Sequence, residues 1–162
     1  MWFWKGAHFV CQREAPLLVL FNSNVSLCPT QWYIYLMKRI FKTKTFLRWM
    51  RKNNLSDDTL RLAVTEMDDG LIDADLGGGV VKKRVAIPGH GKRGGARTII
   101  ATNFGDRWFF LFAFAKNERA NVSRAELRAL QEMAIDFLGL DDQSLKEALQ
   151  AGVLTEIKYG NH

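Results

Sequence analysis

Residues 80–115 read VVKKRVAIPGHGKRGGARTIIATNFGDRWFFLFAFA. The runs VVKKRVAI, ARTIIATNF and RWFFLFAFA are rich in β-branched and aromatic residues and are parted by glycine-containing turns, which predicts three consecutive strands. The turn NFGD at 103–106 is short enough to join antiparallel neighbours. RWFFLFAFA is apolar on both faces, so it is read as the central strand, covered twice, with its aromatics in the core. Alternation along VVKKRVA sends Lys82 and Arg84 to one face and Val81 and Val85 to the other. Lys83 then falls on the core side, a position that implies an edge or a bend.

The period upstream is helical. Phe46, Trp49 and Met50 stand at i, i+3, i+4, and Asn53 and Asn54 stop that helix. Ser56 or Asp57 caps a second one, whose buried stripe is Leu60, Ala63, Val64 and Met67, closed by DDG at 68–70. Downstream, Ser123 and Glu126 form a capping box for a third helix with Leu127, Leu130, Ala134 and Phe137 on its inner face. A short helix, DQSLKEALQAG, ends at Gly152, and VLTEIKY adds an extended tail. The expected fold class is α+β, a small twisted antiparallel sheet packed with an N-terminal helical hairpin and C-terminal helices.

The chain has 162 residues, a formal net charge of +6 and a pI near 9.5, which favours an anionic partner. The charge is local. Lys82, Lys83, Arg84, Lys92, Arg93 and Arg97 fall in one run without an Asp or Glu between them. Residues 1–36 differ from the rest: they hold Cys11 and Cys28, three tryptophans and no sustained period. They fit neither a secretory signal nor a membrane span. They are therefore expected to be an upstream extension, with the protein proper at 37–162 beginning at Met37. A main body without cysteine suits a reducing cytoplasm.

The segment AIPGHGKRGGARTII at 86–100 holds four glycines, a histidine and three cations, and is read as a loop leading into a strand. It is not a Walker A motif, since Ala86 replaces the first glycine and Arg93 the hydroxyl that would hold magnesium. The expectation is no metal and no cofactor, because His8, His90 and His162 are scattered and His90 has no ligand at metal spacing. What remains is a backbone able to approach an anion and cations able to grip one, a phosphodiester-binding surface.

The segments KKRVA, GHGKRGGARTII and FAFAKNERANVSRAELRALQEMA resemble the RelE/ParE superfamily of bacterial toxins, nearest to its RelE and HigB-like branch, over roughly residues 37 to 157. The resemblance implies a type II toxin that enters the ribosomal A site, cleaves mRNA without metal through attack by the ribose 2′-hydroxyl, and is restrained by an antitoxin encoded beside it. It implies no membrane partner. Carried onto this chain, it makes Arg97, Lys116, Lys82, Arg84 and Glu118 the candidate catalytic residues. Arg97 is assigned to the phosphate, and Lys82 or Arg84 to the 2′-alkoxide or the scissile phosphate. The general base is left open among Glu118, His90 and a lysine. Lys83, Lys92, Arg93 and Arg119 are the candidate RNA contacts. The tyrosine that some relatives carry near the third helix is absent, Ser123 standing there. The alternatives are a ParE-like inhibitor of DNA gyrase and a nucleic-acid-binding relative without catalysis.

Overall fold

A computed structural model describes residues 38–89 and 91–158, residues 91–94 by their backbone alone. The readings made for residues 1–36, for His90 and for the side chains of Lys92 and Arg93 lie outside the described residues.

The strands are β1 (Arg39–Thr43), β2 (Ala74–Asp75), β3 (Val80–Ile87), β4 (Gly91–Thr102), β5 (Arg107–Ala115) and β6 (Leu154–Glu156), in the spatial order β2-β3-β4-β5-β1-β6. The helices are α1 (Lys44–Lys52) and α2 (Asp57–Asp68), then α3 (Arg124–Leu138) and α4 (Asp142–Gln150). The α+β class holds. Two details differ from the expectation. The sheet is mixed, because β1 lies parallel to β5 and antiparallel to β6. The segment read as a loop is strand from Gly91 onward, folded back on β3 through a turn at Pro88 and Gly89, where Gly89 adopts φ +81°.

The sheet divides two cores. On one face Phe46 and Met50 of α1 and Leu60, Ala63, Val64 and Met67 of α2 pack with Val81, Val85, Ile100, Trp108 and Phe110. On the other, Leu130 and Ala134 of α3 and Leu145 of α4 pack with Phe41, Val80, Ile99, Phe109, Leu111 and Phe114. β5 feeds both cores, which is why its sequence is apolar at nearly every position. Each fully buried large side chain contributes roughly 1.5 to 3 kcal/mol, so β5 anchors the whole molecule.

The helix ends follow local chemistry. Thr43 caps α1 by accepting from the Phe46 N–H, while its Oγ1 donates to the Leu111 carbonyl at 2.7 Å and so ties the cap to β5. Ser56 caps α2, Ser123 and Glu126 complete the capping box on α3, and Asp141 caps α4. Asn54 (φ 51°) and Gly70 (φ +83°) turn the chain after α1 and α2.

Three buried lysines join the sheet to α2. Lys38 pairs with Asp68, Lys42 Nζ lies 2.6 Å from Asp57 Oδ1, and Lys83 Nζ lies 2.8 Å from Glu66 Oε2. Each lysine is at most 7% exposed. The carboxylates at the two ends of α2 and one near its last turn therefore fix its position by charge as well as by its apolar stripe.

Candidate nucleic-acid interface

Register places the basic residues. Arg84 of β3 is opposite Arg97 of β4, which is opposite Phe114 of β5; one step inward, Lys82, Ile99 and Phe112 are aligned in the same way. Side chains two apart share a face, and Val80, Ile99 and Phe114 belong to the core under α3 and α4. Lys82, Arg84 and Arg97 therefore stand on the α3 side of the sheet. Of the three, Arg84 is exposed and Lys82 and Arg97 are half-buried on the side where helix α3 packs. Its C-terminal half reaches back to the other end of β3, where Gln131 Nε2 donates to the Leu76 carbonyl at 2.9 Å and Leu138 comes against Gly79. Its first turn lies beside Phe112 and Phe114 through Arg119.

Arg119 is held on three sides. Its guanidinium stands 5.8 Å from the Phe112 ring centre and 5.3 Å from that of Phe114. Nε donates to the Asn121 carbonyl at 3.0 Å, and the two Nη groups form a bidentate pair with Glu126. The Arg119 hydrogen bond, followed by those from the Ser123 backbone and hydroxyl, pulls the Glu126 carboxyl from 4.5 to about 2. The same carboxylate thus caps α3 and anchors the cation.

Arg97 has a different environment. It is half-buried, and its Nη1 is buried without a hydrogen-bond acceptor among the described residues. Such a donor costs about 1 to 3 kcal/mol if left unmet. Lys82, half-buried, and Lys116, exposed just beyond β5, have no carboxylate partner among the described residues. Arg84 is exposed, with Nε 3.2 Å from Asp73 Oδ1. Glu118 is exposed and accepts from the Ala115 N–H at 3.3 Å, while its own N–H donates to the Ala115 carbonyl at 3.1 Å. It closes the tight turn after β5.

The structure thus brings Lys82, Arg84 and Arg97 together, with Arg119 beside the aromatic flank of the row. Lys83 is corrected: it lies on the opposite face, buried, bound to Glu66 and donating to the Leu71 carbonyl. An RNA strand on the Arg97 side would not reach it. Two acidic residues went unread in the sequence. Glu126 was visible as a capping residue but not as the partner of Arg119, and nothing local marks Asp73, which meets Arg84 only once β2 has paired with β3.

Among the described residues no group of three or more His, Cys, Asp or Glu is placed to hold a metal ion. No helix among them is long and apolar enough to cross a membrane. The model of one protein family, the RelE toxin of the RelE/RelB toxin-antitoxin system, matches residues 38–157. That span runs from the start of β1 to just past β6, so it takes in every strand and helix described above. The chain belongs to the RelE toxin family and is the toxin of a toxin-antitoxin system, with an antitoxin as its partner.

Proposed function

We propose that this toxin is an mRNA endoribonuclease acting in the ribosomal A site, in the cytoplasm, by attack of a ribose 2′-hydroxyl on the adjacent phosphate. The observation that carries this reading is the row of Arg84, Arg97 and Lys82 on one face of the sheet, with an Arg97 donor that is buried without an acceptor among the described residues. In such a reaction the 2′-oxygen forms a bond to phosphorus and the P–O5′ bond breaks. The attacking hydroxyl loses a proton and the leaving 5′-oxygen gains one. Negative charge grows on the non-bridging oxygens in between, and cations already aimed at that point stabilise it without reorganising.

Arg97 is the group assigned to that charge. Its partly buried position strengthens the interaction relative to water, and its unmet donor is suited to a phosphate oxygen. Arg84, at the neighbouring position across the strands, contacts the same phosphate, and Lys82 stands one step along, suited to the 2′-oxygen. Lys116 and Glu118 flank the far end at the close of β5. Glu118 or a lysine takes the proton from the hydroxyl, with His90 as the third candidate base. Lys92 and Arg93 add phosphate contacts along the RNA, as does Arg119 if it parts from Glu126.

Single-turnover incubation with mRNA on programmed ribosomes tests the reading. Cleavage within the A-site codon, absent in Arg97→Ala, is expected. Intact mRNA together with inhibition of purified DNA gyrase would establish the ParE-like alternative instead.

A further inference from the structure

One carboxylate touches the outer edge of the basic row. Asp73 stands immediately before β2. Its N–H donates to the Lys82 carbonyl at 3.0 Å, its Oδ2 accepts the Arg84 N–H, and its Oδ1 lies 3.2 Å from Arg84 Nε. A single residue therefore binds the backbone of one site cation and both the backbone and the side chain of the next.

That arrangement answers an electrostatic difficulty. Arg84 and Arg97 are direct cross-strand partners on one face, a placement in which like charges repel. The Arg84 side chain is 57% exposed, whereas that of Asp73 is 24% exposed. Without an anchor, the longer and better solvated arginine would swing away from Arg97 and sample many rotamers. Asp73 Oδ1 lies nearest the guanidinium at Nε, the root of the fork, as an ion pair. Neither Nη group makes a hydrogen bond among the described residues, so the face of the fork stays open.

We propose that Asp73 is a positioning residue: it holds Arg84 beside Arg97 so that the two guanidinium groups meet one phosphate together. The proposal rests on the phosphodiester-cleaving reading of this surface. It assigns the carboxylate no contact with RNA and no proton transfer. A misplaced cation lowers the rate of a step whose geometry is set in advance, so the effect belongs in the single-turnover rate rather than in ribosome affinity.

Two measurements on the full chain test it. The first is the Nε–H resonance of Arg84 in 15N-labelled toxin, assigned by its loss in Arg84→Ala. By its 1H–15N NOE it is expected to be restricted in motion in the native protein, to lose that restriction in Asp73→Ala, and to recover it in part in Asp73→Glu. The second is a double-mutant cycle on ribosomal mRNA cleavage. Asp73→Ala is expected to slow the single-turnover rate about 10- to 100-fold with ribosome binding unchanged, and to have almost no further effect in an Arg84→Ala background. Should Asp73→Ala not fold, Asp73→Asn, which keeps an acceptor but removes the charge, is measured in the same two ways. An Arg84 resonance indifferent to Asp73, or an equal loss of rate with and without Arg84, would overturn the proposal and reduce Asp73 to a support of the sheet edge. A native chain that leaves mRNA intact defeats the nuclease reading, and the resonance then decides separately whether Asp73 holds Arg84.

Discussion

Replacing Glu66 with alanine leaves the Lys83 ammonium inside the protein with its counter-charge gone. The two side chains are 19% and 8% exposed, and their 2.8 Å contact lies between α2 and β3. Removing one member of a buried pair costs about 3 to 5 kcal/mol, because the survivor has been desolvated for a partner it no longer has. Lys83 keeps its hydrogen bond to the Leu71 carbonyl, so the lower end, about 3 kcal/mol, is expected. For a domain of about 120 residues, near 4 °C per kcal/mol, the melting temperature falls by about 12 °C. Urea denaturation followed by circular dichroism should show the lower midpoint with an unchanged slope. The double variant Glu66→Leu with Lys83→Met removes both charges and should recover to within about 1 kcal/mol of the native protein. It should also cleave mRNA at the native rate, since Lys83 faces away from Arg97. A Glu66→Ala midpoint equal to the native one would show that Lys83 reaches water, and the buried-pair reasoning would fail. A double variant that folds but loses cleavage would return Lys83 to the RNA-binding surface.

Arg97→Ala should melt within about 1 kcal/mol of the native protein, since it removes a donor that has no acceptor among the described residues, while single-turnover cleavage falls roughly 100- to 1,000-fold; a rate within threefold of native would take Arg97 out of the site. The Glu126 carboxyl is held near 2 in the folded protein against 4.5 when unperturbed, so its contribution is full above about pH 4.5 and is lost as pH falls toward 2. Glu126→Gln should therefore melt below the native protein at neutral pH and approach it on acidification; a gap that stays constant with pH would exclude the charge on Glu126 as its source. Ser123→Ala removes one half of the capping box and should cost about 1 kcal/mol in a denaturation midpoint. A chain starting at Met37 should melt at the same temperature as the full chain and arrest growth equally, and a large drop in either would make residues 1–36 part of the folded unit.

Much of the architecture was readable because it depends on neighbours in the chain. The limits of β3 and β5, the caps at Ser56 and Ser123, the α2 stripe and the stops after α1 and α2 are set by period, capping groups and left-handed residues acting within a few positions. The basic row was half readable: alternation put Lys82 and Arg84 on one face, and the family resemblance drew attention to Arg97. Strand β1 was not readable, since Lys38 and Lys42 make it look like a solvated segment, and only their pairing with Asp68 and Asp57 on α2 lets it lie parallel to β5 inside the sheet. Alternation set Lys83 on the core side, where it lies, yet what it does there was not readable: a buried lysine needs a carboxylate, and Glu66 comes to it from α2. Asp73 and Glu126 became partners of Arg84 and Arg119 through strand pairing and the approach of α3. Charge and periodicity along the chain determined which residues were available for a phosphate, but the tertiary structure decided which cations were already neutralised, because charge pairing acts through space over a few ångströms and ignores sequence separation.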